Sequence, residues 1–172
     1  QMDKAILTIN EFSRNVTKRM KKEGIYSTYD LEWRNDVTGK TIREGDRIDL
    51  GGLEVSILET PGHSSCCIAA YVHKLKALFP TDGGGIPFDQ TIVTSGNSNY
   101  TKYQQSLEKL KDLGVDYYCA DHYGYVTGKE AREFILKSIE MAKKNRTQME
   151  EVYRSTRDID VAAQKLISSF YE

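Results

Sequence analysis

The rhythm of apolar positions changes several times along this chain, and each change marks an element. Between Asn10 and Glu23, Phe12, Val16 and Met20 recur four apart, the stripe of an amphipathic helix, and Gly24 ends it. The apolar residues Ala5 to Ile9 form a run too short to assign. From Ile25 to Gly52, short β-like pieces alternate with Gly and Asp turns. Leu53, Val55 and Ile57 then alternate with polar neighbours, which predicts a strand with one buried face. Cys66 to Val72 is almost continuously apolar, and Ala77 to Pro80 follows a turn at His73 to Lys76. This pair predicts a hairpin with one or both strands buried.

A glycine-rich loop over Thr81 to Gln90 and a polar stretch lead into a helix near Tyr100 to Leu113. Leu107, Leu110 and Leu113 line one side of it. Val115 to Ala120 predicts a short strand and Asp121 to Gly128 a loop. Lys129 to about Arg154 reads as a long helix, rich in Glu, Lys, Arg, Met and Ala. Asp158 or Asp160 then caps a last helix carrying Val161, Ala162, Leu166, Ile167 and Phe170. The order of helix, strands, helix, strand and helices predicts an α/β layered fold, a mixed sheet flanked by helices. Residues 1–172 are expected to form a single domain, with C-terminal helices from about residue 128.

Composition narrows the function more than the fold. A hydrophobic share of 39% and a charged share of 28% are those of a soluble globular protein. A formal net charge of -1 argues against a nucleic-acid partner. No apolar run approaches the ~18 residues that would span a bilayer. Three cysteines make no disulfide framework, and with no signal-peptide pattern the expectation is a reducing, cytoplasmic setting. The chain opens at Gln1, which fits a clipped product or a tag remnant.

Candidate chemistry concentrates in three places. His63, Asp82 and His122 each follow the end of an expected strand, beside glycines that let the backbone turn sharply. Two imidazoles and a carboxylate are suitable ligands for Zn²⁺ or Fe²⁺. Cys66 and Cys67 are strand neighbours whose side chains are expected to face opposite ways, as buried structural thiols. Cys119 is expected in the core, and His73 in an exposed turn with Lys74 and Lys76. The Thr81 to Gly85 stretch lacks the Gly-Lys-Ser/Thr pattern of a phosphate loop.

Three segments together, LEVSILETPGHS, ALFPTDGGG and DYYCADHYGYVTG, resemble the second half of the metallo-β-lactamase fold hydrolases. The resemblance runs from about Gly45 to Met141. It implies half of an αββα sandwich, with His63 on a first metal, Asp82 bridging two metals and orienting the attacking water, and His122 on the second. It also implies hydrolysis of a small ester, thioester or lactone. Zinc is the expected metal, with iron or manganese as alternatives. Gly83 and Gly84 would let substrate approach closely, and Tyr123 and Tyr125 would bind it or stabilise a developing oxyanion. Packing of these tyrosines against the following helix is an equal alternative.

The family's His-x-His-x-Asp-His motif does not occur, since the remaining histidine is His73. Each metal would lack two of its protein ligands, so the expectation is a truncated chain, inactive alone and holding its metal weakly or not at all. Its expected partner is the missing N-terminal half or a second copy, because half of the sandwich leaves an apolar sheet face bare. The alternative reading is a non-catalytic dimerising or partner-binding module that retains leftover ligand positions.

Overall fold

The computed structural model describes residues 2–24 and 39–169, with side chains from residue 10 onward. It comprises two compact units, residues 1–41 and 42–172. The first unit holds helix α1 (Met2–Lys22), which starts well before the Phe12–Val16–Met20 stripe and ends, as expected, at Gly24. Arg19, Lys21 and Lys22 in its last turn suit the negative end of the helix dipole. Phe12 is exposed, so the stripe is not a fully buried face. The β-like pieces read over residues 25–38 lie outside the described residues.

The second unit is built on a six-stranded mixed sheet. In chain order its strands are β1 (Arg47–Asp49), β2 (Glu54–Glu59), β3 (Ile68–Val72), β4 (Ala77–Phe79), β7 (Tyr117–Cys119) and β8 (Tyr125–Thr127). They lie side by side in that order, all antiparallel except β4 and β7, which run parallel. A separate two-stranded ribbon, β5 (Ile86–Phe88) and β6 (Thr91–Val93), occupies what the sequence suggests is only a glycine-rich loop. Helices α2 (Tyr100–Leu110), α3 (Gly128–Thr156) and α4 (Ile159–Ser168) complete the unit. No described helix is long and apolar enough to cross a membrane.

The expected β3–β4 hairpin is present, with Ala70 opposite Phe79 and Val72 opposite Ala77. Lys76, in the left-handed conformation, closes its turn. Because strand side chains alternate, Ala69, Tyr71, Leu78 and Tyr118 all point to one face of the sheet. There they meet Tyr103, Leu107 and Leu110 of α2 and Ala131, Phe134 and Ile135 of α3 in a single core. Burying Leu78, Leu107 and Leu110, each fully inaccessible, contributes roughly 1.5–3 kcal/mol apiece. The parallel β4–β7 pair requires a crossover, and α2 supplies it. That crossover brings the loops after β2, β4 and β7 to the same end of the sheet.

Candidate metal centre

The first of these loops is a corner fastened to α2. Thr60, fully buried, donates its N–H to the Cys67 carbonyl (2.9 Å) and closes the turn. The Gly62 carbonyl accepts from the Asn99 amide (2.9 Å) and the Ser98 hydroxyl (3.0 Å), and the Ser106 hydroxyl bonds the Pro61 carbonyl (2.8 Å). A Cβ on Gly62 would lie 2.4 Å from the Tyr103 Cα, and φ there is +152°, so only glycine lets the corner seat on the helix. The Pro-Gly pair thus fixes where the following residue, His63, leaves the backbone.

The second loop is the 3₁₀ turn Thr81–Gly83 after β4. Thr81 adopts φ +51°, a costly conformation for a β-branched residue, and its hydroxyl donates within bonding distance of the Ile68 (2.9 Å) and Pro80 (2.7 Å) carbonyls. This holds Asp82 at the sheet end. Gly83 and Gly84 are buried, and a Cβ on Gly84 would lie 2.6 Å from the Tyr118 hydroxyl, so close packing accounts for both glycines. That hydroxyl donates to the Gly85 carbonyl at 2.6 Å.

The third loop, between β7 and β8, presents His122 and Tyr123, and Tyr125 opens β8 directly after it. The loop is closed by the Ala120 amide bonding the Gly124 carbonyl (3.2 Å). Tyr123 has φ +62° and both tyrosines are largely exposed.

These loops bring His63, Asp82 and His122 together. His63 Nε2 lies 3.5 Å from Asp82 Oδ2, and His122 Nε2 lies 3.4 Å from Asp82 Oδ1. Each imidazole therefore faces its own carboxylate oxygen. Both separations exceed an N–H···O hydrogen bond, which is about 2.9 Å. They match the roughly 3.3–3.5 Å between two donors on one tetrahedral zinc with bonds of about 2.0–2.1 Å. Asp82 Oδ1 is buried and has no hydrogen-bond partner, the state of an oxygen waiting for a ligand it accepts strongly.

In donor type and spacing the residues fit a metal pair bridged by one carboxylate. In number they fall short. Among the described residues no group of three or more His, Cys, Asp or Glu side chains is arranged to hold a metal ion. Each position has one histidine and one oxygen, whereas catalytic zinc takes about three protein ligands.

The other sulfur and nitrogen groups sit elsewhere. His73 is exposed, as expected, with Nε2 at 3.0 Å from the Ser56 hydroxyl and its ring edge-on to Tyr71. Cys66 and Cys67 differ from the strand reading: they lie in the turn before β3, and both thiols approach the Ser64 hydroxyl, at 3.4 and 3.1 Å. Alternation of faces does not apply outside a strand. Partial burial raises the Cys119 thiol above its ordinary pKa.

Of two further neighbours of the centre, Thr60 belongs to the ETPGHS corner and Tyr103 carries no sequence signal. The Tyr103 hydroxyl is buried beneath the His63 corner without a partner, as is Thr60 Oγ1. Burial, then the Tyr100 and Asp82 charges, push the Tyr103 pKa well above the usual tyrosine range. Tyr103 reaches the site only through the packing of α2 under the corner, which spacing along the chain does not reveal.

A mixed sheet with this helical cover, and with His63, Asp82 and His122 on three loops at one end, is that of a partial metallo-β-lactamase fold. The chain belongs to the metallo-beta-lactamase superfamily, whose sequence profile matches residues 10–122. Membership implies a metal-dependent protein. Among curated proteins, it is 37% identical over 89 residues to a hydroxyacylglutathione hydrolase of Rhodopseudomonas palustris (strain HaA2), covering 48% of this chain and 32% of that protein. A hydroxyacylglutathione hydrolase of Hahella chejuensis is 31% identical over 112 residues, covering 60% of this chain and 40% of that protein. This chain therefore spans well under half the length of these relatives. Among solved structures, an archaeal metallo-beta-lactamase superfamily protein from Sulfolobus tokodaii superposes with a TM-score of 0.57. Its identity is 19%, and the match covers 79% of this chain and 50% of that one. A beta-lactamase domain protein from Burkholderia ambifaria gives a TM-score of 0.54 at 19% identity, over 67% of this chain and 34% of the other. At such identities the likeness is one of fold.

Proposed function

We propose that this chain contributes His63, Asp82 and His122 to a two-metal hydrolase centre acting on an ester, thioester or lactone. The observation that carries the reading is one carboxylate facing two imidazoles through separate oxygens, at 3.4 and 3.5 Å. The relatives' name, hydroxyacylglutathione hydrolase, denotes a thioester substrate and favours that bond among the three. Bound metal ions would act as Lewis acids and bring the pKa of water toward neutral.

The chain's own residues have separate tasks. His63 and His122 would hold the metal positions through Nε2, the ring nitrogen that each turns toward Asp82. Asp82 fixes the spacing of the two positions and accepts a proton-bearing nucleophile's hydrogen bond. Tyr123, in the loop with His122, and Tyr125, the first residue of β8, would donate from their hydroxyls to a substrate oxygen as it gains charge. Zinc, iron and manganese all accept this donor set. The further ligands come from a segment carrying the family's His-x-His-x-Asp-His motif or from a second copy of this chain, in a cytoplasmic protein.

A second reading, a non-catalytic pairing module, draws on the incomplete ligand count and on the half-exposed Phe79 and Tyr117.

Zinc titration calorimetry, with the molecular mass measured by light scattering on the same sample, tests the assignment. The chain alone is expected to bind zinc weakly, and with the motif-bearing segment supplied it is expected to take up close to two ions. His63→Ala, Asp82→Ala and His122→Ala should each lower that uptake while leaving the fold intact. Unchanged uptake in all three variants sinks the assignment.

A further inference from the structure

Beside His122 lies a cavity of about 300 Å³ lined by Ile86, Phe88, Val93, His122 and Tyr123. Its walls come from two elements that the sequence leaves as loops. In the β5–β6 ribbon, Ile86 pairs with Val93, and Phe88 is two residues further along the same strand. All three side chains therefore stand on one face of the ribbon. From the β7–β8 loop, the Tyr123 ring meets Phe88 edge-on, with centroids 4.9 Å apart and planes at 63°. Tyr123 has φ +62°, an uncommon conformation for a non-glycine residue. Phe88 and Tyr123 remain 47% and 73% exposed, so the two rings form a wall rather than a piece of core.

The cavity is continuous with the candidate centre, because His122 belongs to both. Its other described lining residues are apolar or phenolic, and none is Lys or Arg. Such a surface offers nothing to a carboxylate, and so disfavours a charged peptide portion of a thioester. It rewards hydrocarbon, at about the gain of burying each added methylene.

We propose that this cavity is the acyl subsite: it takes a neutral, apolar acyl chain whose carbonyl carbon lies at the His63–Asp82–His122 centre. The proposal rests on the hydrolase reading, and it departs from the hydroxyacyl group of the relatives' name by assigning a hydrocarbon acyl chain to this side of the site. The acyl chain lies along Ile86 and Val93 with Phe88 and Tyr123 as its outer wall. The thiol or alcohol portion leaves from the side away from the ribbon. Chain length, not charge, is what this side of the site selects.

The test uses the full chain without metal and straight-chain neutral amides as probes: acetamide, butanamide, hexanamide and octanamide. Methyl resonances of Ile86 and Val93 report binding in a ¹H–¹³C titration. Affinity is expected to rise by up to about fourfold per added methylene, the equivalent of roughly 0.8 kcal/mol. Phe88→Ala is expected to flatten that gradient while the methyl spectrum of β2 and β3 stays unchanged. If the Ile86 and Val93 methyls do not move, or Phe88→Ala keeps the full gradient, the acyl subsite is rejected. A zinc titration of the same sample with the motif-bearing segment added separates the two readings. A chain-length gradient with no zinc effect on His63 and His122 leaves the subsite and removes the hydrolase, whereas zinc binding without a gradient removes the subsite alone.

Discussion

At the scale of single residues, the centre depends on side chains placed under it as much as on those facing it. Tyr103 shows this most clearly. Its hydroxyl is buried with no partner, directly below the corner that carries His63. An unsatisfied buried hydroxyl costs about 1–3 kcal/mol, so Tyr103→Phe is expected to stabilise the protein by about 1 kcal/mol at pH 7. The same burial raises its pKa in the folded state, with the Tyr100 and Asp82 charges adding to it. A tyrosine that resists ionisation only when folded contributes stability that is complete below its unfolded pKa, near 10, and declines as pH rises beyond it. Tyr103→Phe should therefore also make the alkaline loss of stability shallower. Urea unfolding of both proteins at pH 7 and pH 11 checks both statements. A variant less stable than the parent at pH 7 would show that the hydroxyl has a partner after all.

At the scale of elements, long periodic signals were legible and short strained ones were not. The alternation of Leu53, Val55 and Ile57 marks β2, and the Leu107–Leu110 stripe marks the buried side of α2, with Leu113 just beyond its end. Strands β5, β6 and β8 have three residues each, too few for a period of two to show. Their registers are set by turns with positive φ at Asp89 and at Tyr123 and Gly124, residues whose types do not announce it. The convergence of His63, Asp82 and His122 was legible for the opposite reason: each follows a strand and stands close to glycine. Phe88 was not, because it acts only once the ribbon folds against the β7–β8 loop.

Helix α4 shows how little can hold an element. Ala162 is its one buried residue among those described, and the Asp158 carboxylate caps it by accepting from the Asp160 (2.9 Å) and Val161 (3.0 Å) amides. Of the two caps the sequence allows, the structure uses Asp158. Asp158→Ala is expected to cost about 1 kcal/mol. With so few buried contacts the cost falls on local opening, so amide exchange in α4 should accelerate about fivefold while α2 is unchanged. Equal acceleration in both helices would mean that α4 unfolds only with the rest of the unit.

At the scale of the whole molecule, ligand number and surface point to the same question. Strand neighbours place Ile57, Ala70 and Phe79 on the sheet face away from α2 and α3, and Ala77 and its parallel partner Tyr117 share it. Ile57 and Ala77 are buried there, but Phe79 and Tyr117 are 44% and 49% exposed. Two half-exposed rings offer far less than the ~800 Å² per partner of a stable interface. Self-pairing through them alone should therefore be weak, detectable by sedimentation only at high protein concentration. Zinc changes that expectation where a second copy supplies the missing ligands, because a ligand that binds only the pair stabilises the pair by mass action. Sedimentation with and without zinc should then show association that rises with the metal, falls on Asp82→Ala and falls again on Phe79→Ser with Tyr117→Ser. Association by the rings without any response to zinc would assign this face to a partner that completes the fold but not the metal centre. A chain that stays monomeric in both conditions would exclude the second copy and assign the remaining ligands to a separate segment.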